Sequence, residues 1–293
     1  MRTLGLILAL LLGEAAFGAT EDRFEQTVAA DPHGTVEISN VSGSLTITGW
    51  NQPQVAVSAQ LDDPAMKVQV TSEHGRTVVN VGRAMRAGGD ARLTVRVPQD
   101  GDVDATTVSA KLSSSGVHGH QRLKTVNGGI VADIGAGDSD VKTVSGDVRL
   151  RGEGAPGSLH LDSVSGDVKL EHGAGDIEAT TISGDLHIEA DPAHGVRLRT
   201  TSGDLSFGGR LQHDATLEAE SIRGDVRVQA QADAGFAYEV SSFSGDIKDC
   251  FGQAAARASE HGPGQRLSGT RGAGEAHIRI KSLSGDVSLC DHK

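Results

Sequence analysis

Apolar and polar residues alternate along most of the chain in short runs, as in Asp185-Leu186-His187-Ile188 and Gly175-Asp176-Ile177-Glu178-Ala179. A period of two marks strands with one buried face. Helical periodicity surfaces only over the short stretch Gln253 to Ser259, so the chain is expected to be all-β.

The runs are punctuated by a repeated core, an apolar residue followed by Ser-Gly-Asp and a second apolar residue. Its Asp falls at Asp147, Asp167, Asp185, Asp204, Asp225, Asp246 and Asp286, with Thr201 and Arg223 as departures from the pattern. Weaker copies occupy Val41 to Leu45, Val108 to Leu112 and Val126 to Ile130. From Ala110 the glycine column advances by 18, 18, 20, 18, 19, 21, 21 and then 40 residues, so internal repetition governs the fold.

Ser-Gly-Asp is also a good hairpin turn, and an antiparallel meander has to be tested. With a three-residue loop Val164 faces Val168, but the next same-face pair sets Asp162 against Leu170, and the outer face sets Leu161 against Glu171. Leu150 against Lys142 and Ile188 against Thr180 fail in the same way. Register follows the buried face, so the hairpin is rejected. What survives is a continuous path in which apolar parity slips once per coil, near the Ser or Thr that precedes each core, as a bend between two flat sheets requires.

Stacking one ~20-residue coil on the next pairs each strand with its copy ~4.8 Å away and buries an unbroken apolar column. The predicted fold is therefore a parallel β-solenoid, right-handed by the crossover rule. Residues 101–293 form its coils, with one insertion near 251–270 that reads as loop. Residues 19–100 are strand-rich but irregular and are expected to cap the open sheet edge, with Trp50 plugging the cap's core. Residues 1–18 form a signal peptide: Arg2, the apolar run Leu4 to Leu12, and Ala16-Phe17-Gly18 before a cut at Ala19. Export follows, to the periplasm or the cell surface, and no later stretch is apolar enough for a transmembrane segment.

Composition narrows the partners. Against 27 basic residues stand 39 acidic ones, a net charge of -12 that gives nucleic acid no electrostatic footprint. Only six Phe, one Tyr and one Trp are present, which leaves few aromatics to stack on sugars.

The signal peptide, the early Ile-Ser-Asn-Val-Ser-Gly segment before Gly49-Trp50, and the serial Val-Ser-Gly-Asp-Val coils resemble the bacterial β-strand-repeat proteins labelled putative adhesins, a domain family of unknown function. The resemblance covers nearly the whole mature chain. It implies an envelope-associated β-solenoid and carries over no catalytic residue.

Motif chemistry is sparse. The twelve His residues show no metal spacing, and neither a Gly-x-Ser-x-Gly elbow nor a phosphate loop occurs, so no cofactor is expected. The seven Asp residues named above would stack along one edge, where like charges ~4.8 Å apart repel. Each carboxylate either accepts N–H groups of its own turn or joins a weak divalent-cation ladder. Calcium-binding Gly-Gly-x-Gly-x-Asp repeats are absent, which favours the first reading. The Ser/Thr column (Thr107, Thr125, Thr143, Ser163, Thr181, Thr200, Ser221, Ser242, Ser282) is expected to form a hydroxyl ladder at the bend.

Cys250 and Cys290 each lie five residues beyond the glycine of their coil. If residues 251–270 loop out as one insertion, the two coils are neighbours and the cysteines fall within disulfide range, as suits an oxidising compartment. Three function classes stand: a non-enzymatic envelope protein contacting a protein or polysaccharide, which is favoured; a cation-dependent surface module; and a carbohydrate-active β-helix enzyme, disfavoured by the uniform coils.

Overall fold

In the computed structural model of the chain, residues 22–82, 89–155, 157–258 and 263–291 are described. The signal segment 1–18 lies outside them. Among the described residues every regular element is a strand, and no helix is long and apolar enough to cross a membrane. The described part of Gln253 to Ser259 contains only the two-residue strand Ala256–Arg257. The helical hint there is overridden by antiparallel pairing of that strand with Gln265–Gly272.

The coils stack in parallel register and form two walls. In one wall Leu161, Ala179, Leu198 and Ala219 are successive partners. In the other, Val148, Val168, Leu186, Leu205 and Val226 are. All nine are buried, so the alternation in sequence is the alternation between core and solvent. Each Val or Leu among them contributes roughly 1.5 to 3 kcal/mol by leaving water. The architecture is an all-β, solenoid-like stack of parallel coils.

The parity slip is the corner between the walls. Leu159, Leu161 and Ser163 point inward, Val164-Ser165-Gly166-Asp167 turns outward, and Val168 points inward again. The corner glycines have φ between 122° and 143° from Gly146 to Gly285, where L-residues are strained. A Cβ on any of them would lie closer than 3.0 Å to the carbonyl oxygen of the corner glycine one coil below. Stacked corners thus exclude every other residue for two separate reasons.

Sequence spacing places the coils in chain order, and the C-terminal end departs from it. The last coil, Ala276–Ser284 with Val287–Cys290, is interposed between the coil at 216–229 and the earlier coil Gly235–Ser244 with Ile247–Asp249. The segment expected to be loop supplies Gln265–Gly272, which pairs antiparallel with Gly235–Ser244 and covers the outermost edge. A loop would have left that row of N–H and C=O groups bare, which is the aggregation hazard of an open edge. Cys250 and Cys290 are bridged, with a Cα–Cα distance of 4.9 Å, so the interposed coil is tied to the outermost one.

The N-terminal end is built the same way. The long strand Thr35–Trp50 lies between Asp102–Ser115 on one side and Arg76–Gly82 and Ala91–Pro98 on the other. Gln54–Leu61, Asp22–Ala29 and Lys67–Glu73 then add antiparallel strands at the outside. Aliphatics such as Val36, Ile38, Leu45, Val57 and Leu93 fill this end. Trp50 is not among them: it is half-exposed, donates its indole N–H to the Gln54 carbonyl at 2.8 Å, and lies 5.8 Å beneath the Arg96 guanidinium. The aliphatics already fill the space that a plug would take.

Candidate functional site

The Asp column does come together. Oδ1 of Asp147 accepts the backbone N–H of Asp167 at 3.3 Å, and the same bond continues from Asp167 to Asp185 at 3.0 Å, Asp185 to Asp204 at 2.8 Å and Asp204 to Asp225 at 2.9 Å. It then passes from Asp225 to Asp286 and from Asp286 to Asp246, at 3.0 and 2.9 Å, following the interposed order of the coils. The acceptor serves the next coil's turn, and not its own turn as the sequence led us to expect, because stacking sets that N–H within hydrogen-bond reach of Oδ1. At the end of the column Oδ1 of Asp246 accepts from Gln265 Nε2 at 3.0 Å.

Repulsion along the column is offset twice. One oxygen of each carboxylate but Asp246 faces a backbone dipole, and guanidinium groups meet several of the others: Arg149 reaches Asp147 at 3.2 Å, and Arg227 bridges Asp225 at 3.3 Å and Asp204 at 3.6 Å. Among the described residues no cluster of three or more His, Cys, Asp or Glu is arranged to hold a metal ion.

The Ser/Thr column is buried throughout, at 1 to 7% exposure, but it is not a continuous ladder. Thr107 and Thr125 share a hydroxyl bond at 3.0 Å. Higher up, Thr181 bonds the Ser183 carbonyl at 3.3 Å and Ser282 the Gly285 carbonyl at 3.4 Å, both within their own corner. A coil spacing near ~4.8 Å is too long for every hydroxyl to reach its copy.

The corner presents a second column that sequence reasoning missed. The apolar residue that opens each core points out to solvent: Val108, Val126, Val144, Val164, Ile182, Ile222, Leu283 and Phe243 are 41 to 55% exposed. Thr201 occupies the one position between Ile182 and Ile222. The signal was the parity slip itself, since a residue directly after an inward Ser or Thr must face outward. The result is an apolar ridge along the corner, in a protein whose buried core is already complete without it.

At the C-terminal end the ridge becomes one side of a groove of about 640 Å³. Ile182, Thr201, Ile222, Leu283 and Phe243 form the apolar side, the main chain at Thr181, Thr200, Ser221, Ser282 and Ser242 the floor, and Arg199, Glu220 and Lys281 the opposite side. Pro263, Gln265 and Arg266 close one end. Glu220 accepts from Arg199 and from Lys281, each at 3.2 Å. Partial burial raises its carboxyl, and these two cations outweigh that and hold it below the ordinary carboxylate value.

A family model for Toastrack DUF4097 matches residues 28–290. The chain belongs to that family. Among solved structures, a putative adhesin from Parabacteroides distasonis aligns with 92% of this chain and 98% of its own length, at 9% identity and a TM-score of 0.42. A putative adhesin from Bacteroides fragilis aligns over the same shares at 11% identity and a TM-score of 0.42. A putative cell adhesion protein from Clostridium sporogenes covers 92% of this chain and 100% of its own, at 9% identity and a TM-score of 0.29. No curated protein matches the sequence. In this family member the stacked corners put two columns on the surface, an Asp column whose Oδ1 atoms are consumed by the fold and an apolar ridge that the fold does not use.

Proposed function

We propose that the protein is a non-enzymatic, exported component of the cell envelope, adhesin-like in role, that presents the corner ridge to a protein or polysaccharide partner. The exposed apolar column carries this reading. Its eight aliphatic and aromatic side chains are 41 to 55% exposed, and contiguous apolar surface of that kind marks interaction sites on soluble proteins. Cation coordination is left out of the proposal, because Oδ1 of these Asp residues already accepts a backbone N–H and no cluster of three or more His, Cys, Asp or Glu among the described residues is arranged to hold a metal ion. Export through the segment 1–18, a cap at 19–100 in front of the coils at 101–293, and a right-handed coil belong to the same proposal.

Cell fractionation with N-terminal sequencing tests export: mature protein beginning at Ala19 in periplasm or on the surface is expected, and full-length protein in the cytoplasm would refute it. Retention of purified protein on isolated envelopes tests the ridge. Val144→Asp with Val164→Asp should abolish retention while leaving the melting temperature unchanged. Unaltered retention would refute the assignment.

A further inference from the structure

We propose that the groove at the C-terminal end binds one long-chain fatty-acid carboxylate, its hydrocarbon lying along Ile182, Ile222, Leu283 and Phe243 and its head toward Arg266. This site occupies the C-terminal part of the ridge and, unlike the ridge's role as a contact surface, requires no macromolecular partner.

The shape sets the ligand's outline. The groove crosses five coils, from Thr180-Thr181-Ile182 to Ser241-Ser242-Phe243, and four steps of ~4.8 Å give a track ~19 Å long. It is one side chain wide on its apolar side, so it holds a single chain, and its volume of about 640 Å³ lies within the range of small-molecule sites.

The chemistry of the corner then selects among apolar occupants. Backbone groups along the corner are already committed between coils: Gly184 N–H to Ser202, Gly203 N–H to Arg223, Gly224 N–H to Ser284, and Gly285 N–H to Ser244. An inserted peptide would bring its own N–H and C=O groups to a surface whose main chain offers no return bonds. A hydrocarbon chain brings none. Sugars are disfavoured because Phe243 is the one aromatic ring in the lining.

Charge selects the head. The lining holds Arg199, Lys281 and Arg266 against the single carboxylate of Glu220. Glu220 engages the first two, so Arg266 at the closed end has no acidic partner among the described residues. On a chain of net charge -12 this is a local excess of cations, complementary to a carboxylate.

Fluorescence titration of the purified protein with dansyl-undecanoate, followed by competition, tests the assignment. Saturable, blue-shifted emission that palmitate displaces is expected, with methyl palmitate at least about tenfold weaker because it lacks the charge. Ile222→Asp should abolish binding, and Arg266→Glu should weaken palmitate but not its ester. Both residues are exposed on the surface, so the variants should keep the wild-type melting temperature. Val126→Asp, on the ridge but outside the groove, should bind as wild type. Equal loss in Val126→Asp would show adsorption to the ridge as a whole and overturn the proposal, as would unchanged binding in Ile222→Asp. Failure to bind together with a dimer in sedimentation that Ile222→Asp dissociates would assign the groove to a second copy of the chain instead.

Discussion

Gly184→Ala tests whether stacked corners, and not turn preference alone, demand glycine. The residue has φ of 125°, outside the left-handed region that non-glycine residues visit, and an added Cβ would meet the Gly166 carbonyl oxygen inside 3.0 Å. Backbone strain at positive φ costs about 1 to 2 kcal/mol. The clash is with main chain, whose position is fixed by the Gly166 N–H bond to Ser183 and the Gly184 N–H bond to Ser202, both 3.1 Å, so the coils must part to relieve it. Overpacking of that kind adds about 1 to 3 kcal/mol, for a total of about 2 to 5. Gly154→Ala supplies the comparison, because Gly154 has φ of 73° and nothing within 4 Å of a built Cβ. It should cost only the backbone part, about 1 to 2 kcal/mol. Urea unfolding followed by circular dichroism measures both. Equal losses for the two variants would refute the stacking explanation and leave turn conformation as the sole requirement.

The Cys250–Cys290 bridge closes a loop of 40 residues, so replacing both cysteines with Ser should lower stability by roughly 3 to 4 kcal/mol, and denatured, unreduced wild type should show no reactive thiol. Millimolar calcium should leave the melting temperature unchanged, whereas a rise that chelator reverses would show cation binding by the Asp column. Burial raises the Asp162 carboxyl, but Lys142 at 2.9 Å and His160 at 3.0 Å together outweigh it and the pKa is lowered. Its contribution is therefore present above pH ~4 and lost as pH falls through the folded value, and Asp162→Asn should flatten the acid limb of a melting-temperature profile. The pair is about two-fifths exposed, so the effect should stay below about 1 kcal/mol, and an unchanged acid limb would remove Asp162 from the account. Arg279→Glu should cost about 1 to 2 kcal/mol in urea, more than Arg149→Glu at the Asp column, because it would set three glutamates in a row.

Much of the coil was legible because its constraints are local. The Ser-Gly-Asp core, the ~20-residue step and the inward aliphatics can all be read from one repeat and its copies. The outward course of Val164 and its counterparts was equally local, since it follows from the parity slip, but it was not drawn from it. Other features depend on what lies one coil away. Asp185 has the same sequence context whether it accepts its own turn's N–H or that of Asp204, and only stacking distance decides. The strand Gln265–Gly272 carries Ser, Thr, Arg and Gly at alternate places, with Leu267 as its single buried aliphatic, so no period announces it. It is a strand because a bare edge is there to be covered.

The interposed coil has a reason that the charges supply. On the outer face of one wall the partners run Asp104, Arg122, Asp140, His160, Glu178, Arg197 and Glu218, so carboxylates alternate with basic groups from coil to coil. Stacked in chain order, the next coil would set Glu239 against Glu218. With the last coil between them, Arg279 stands 3.8 Å from Glu218 and 3.6 Å from Glu239, and Lys281 stands 3.2 Å from Glu220. Each exposed pair contributes only up to about 1 kcal/mol, too little to build the stack. It bears on the order of two coils that both bury their inward residues, Ile278 and Ile280 in one and Tyr238 and Val240 in the other, because only the difference between the orders counts. The core makes a stack of parallel coils, and the surface charges favour the order in which its final members lie.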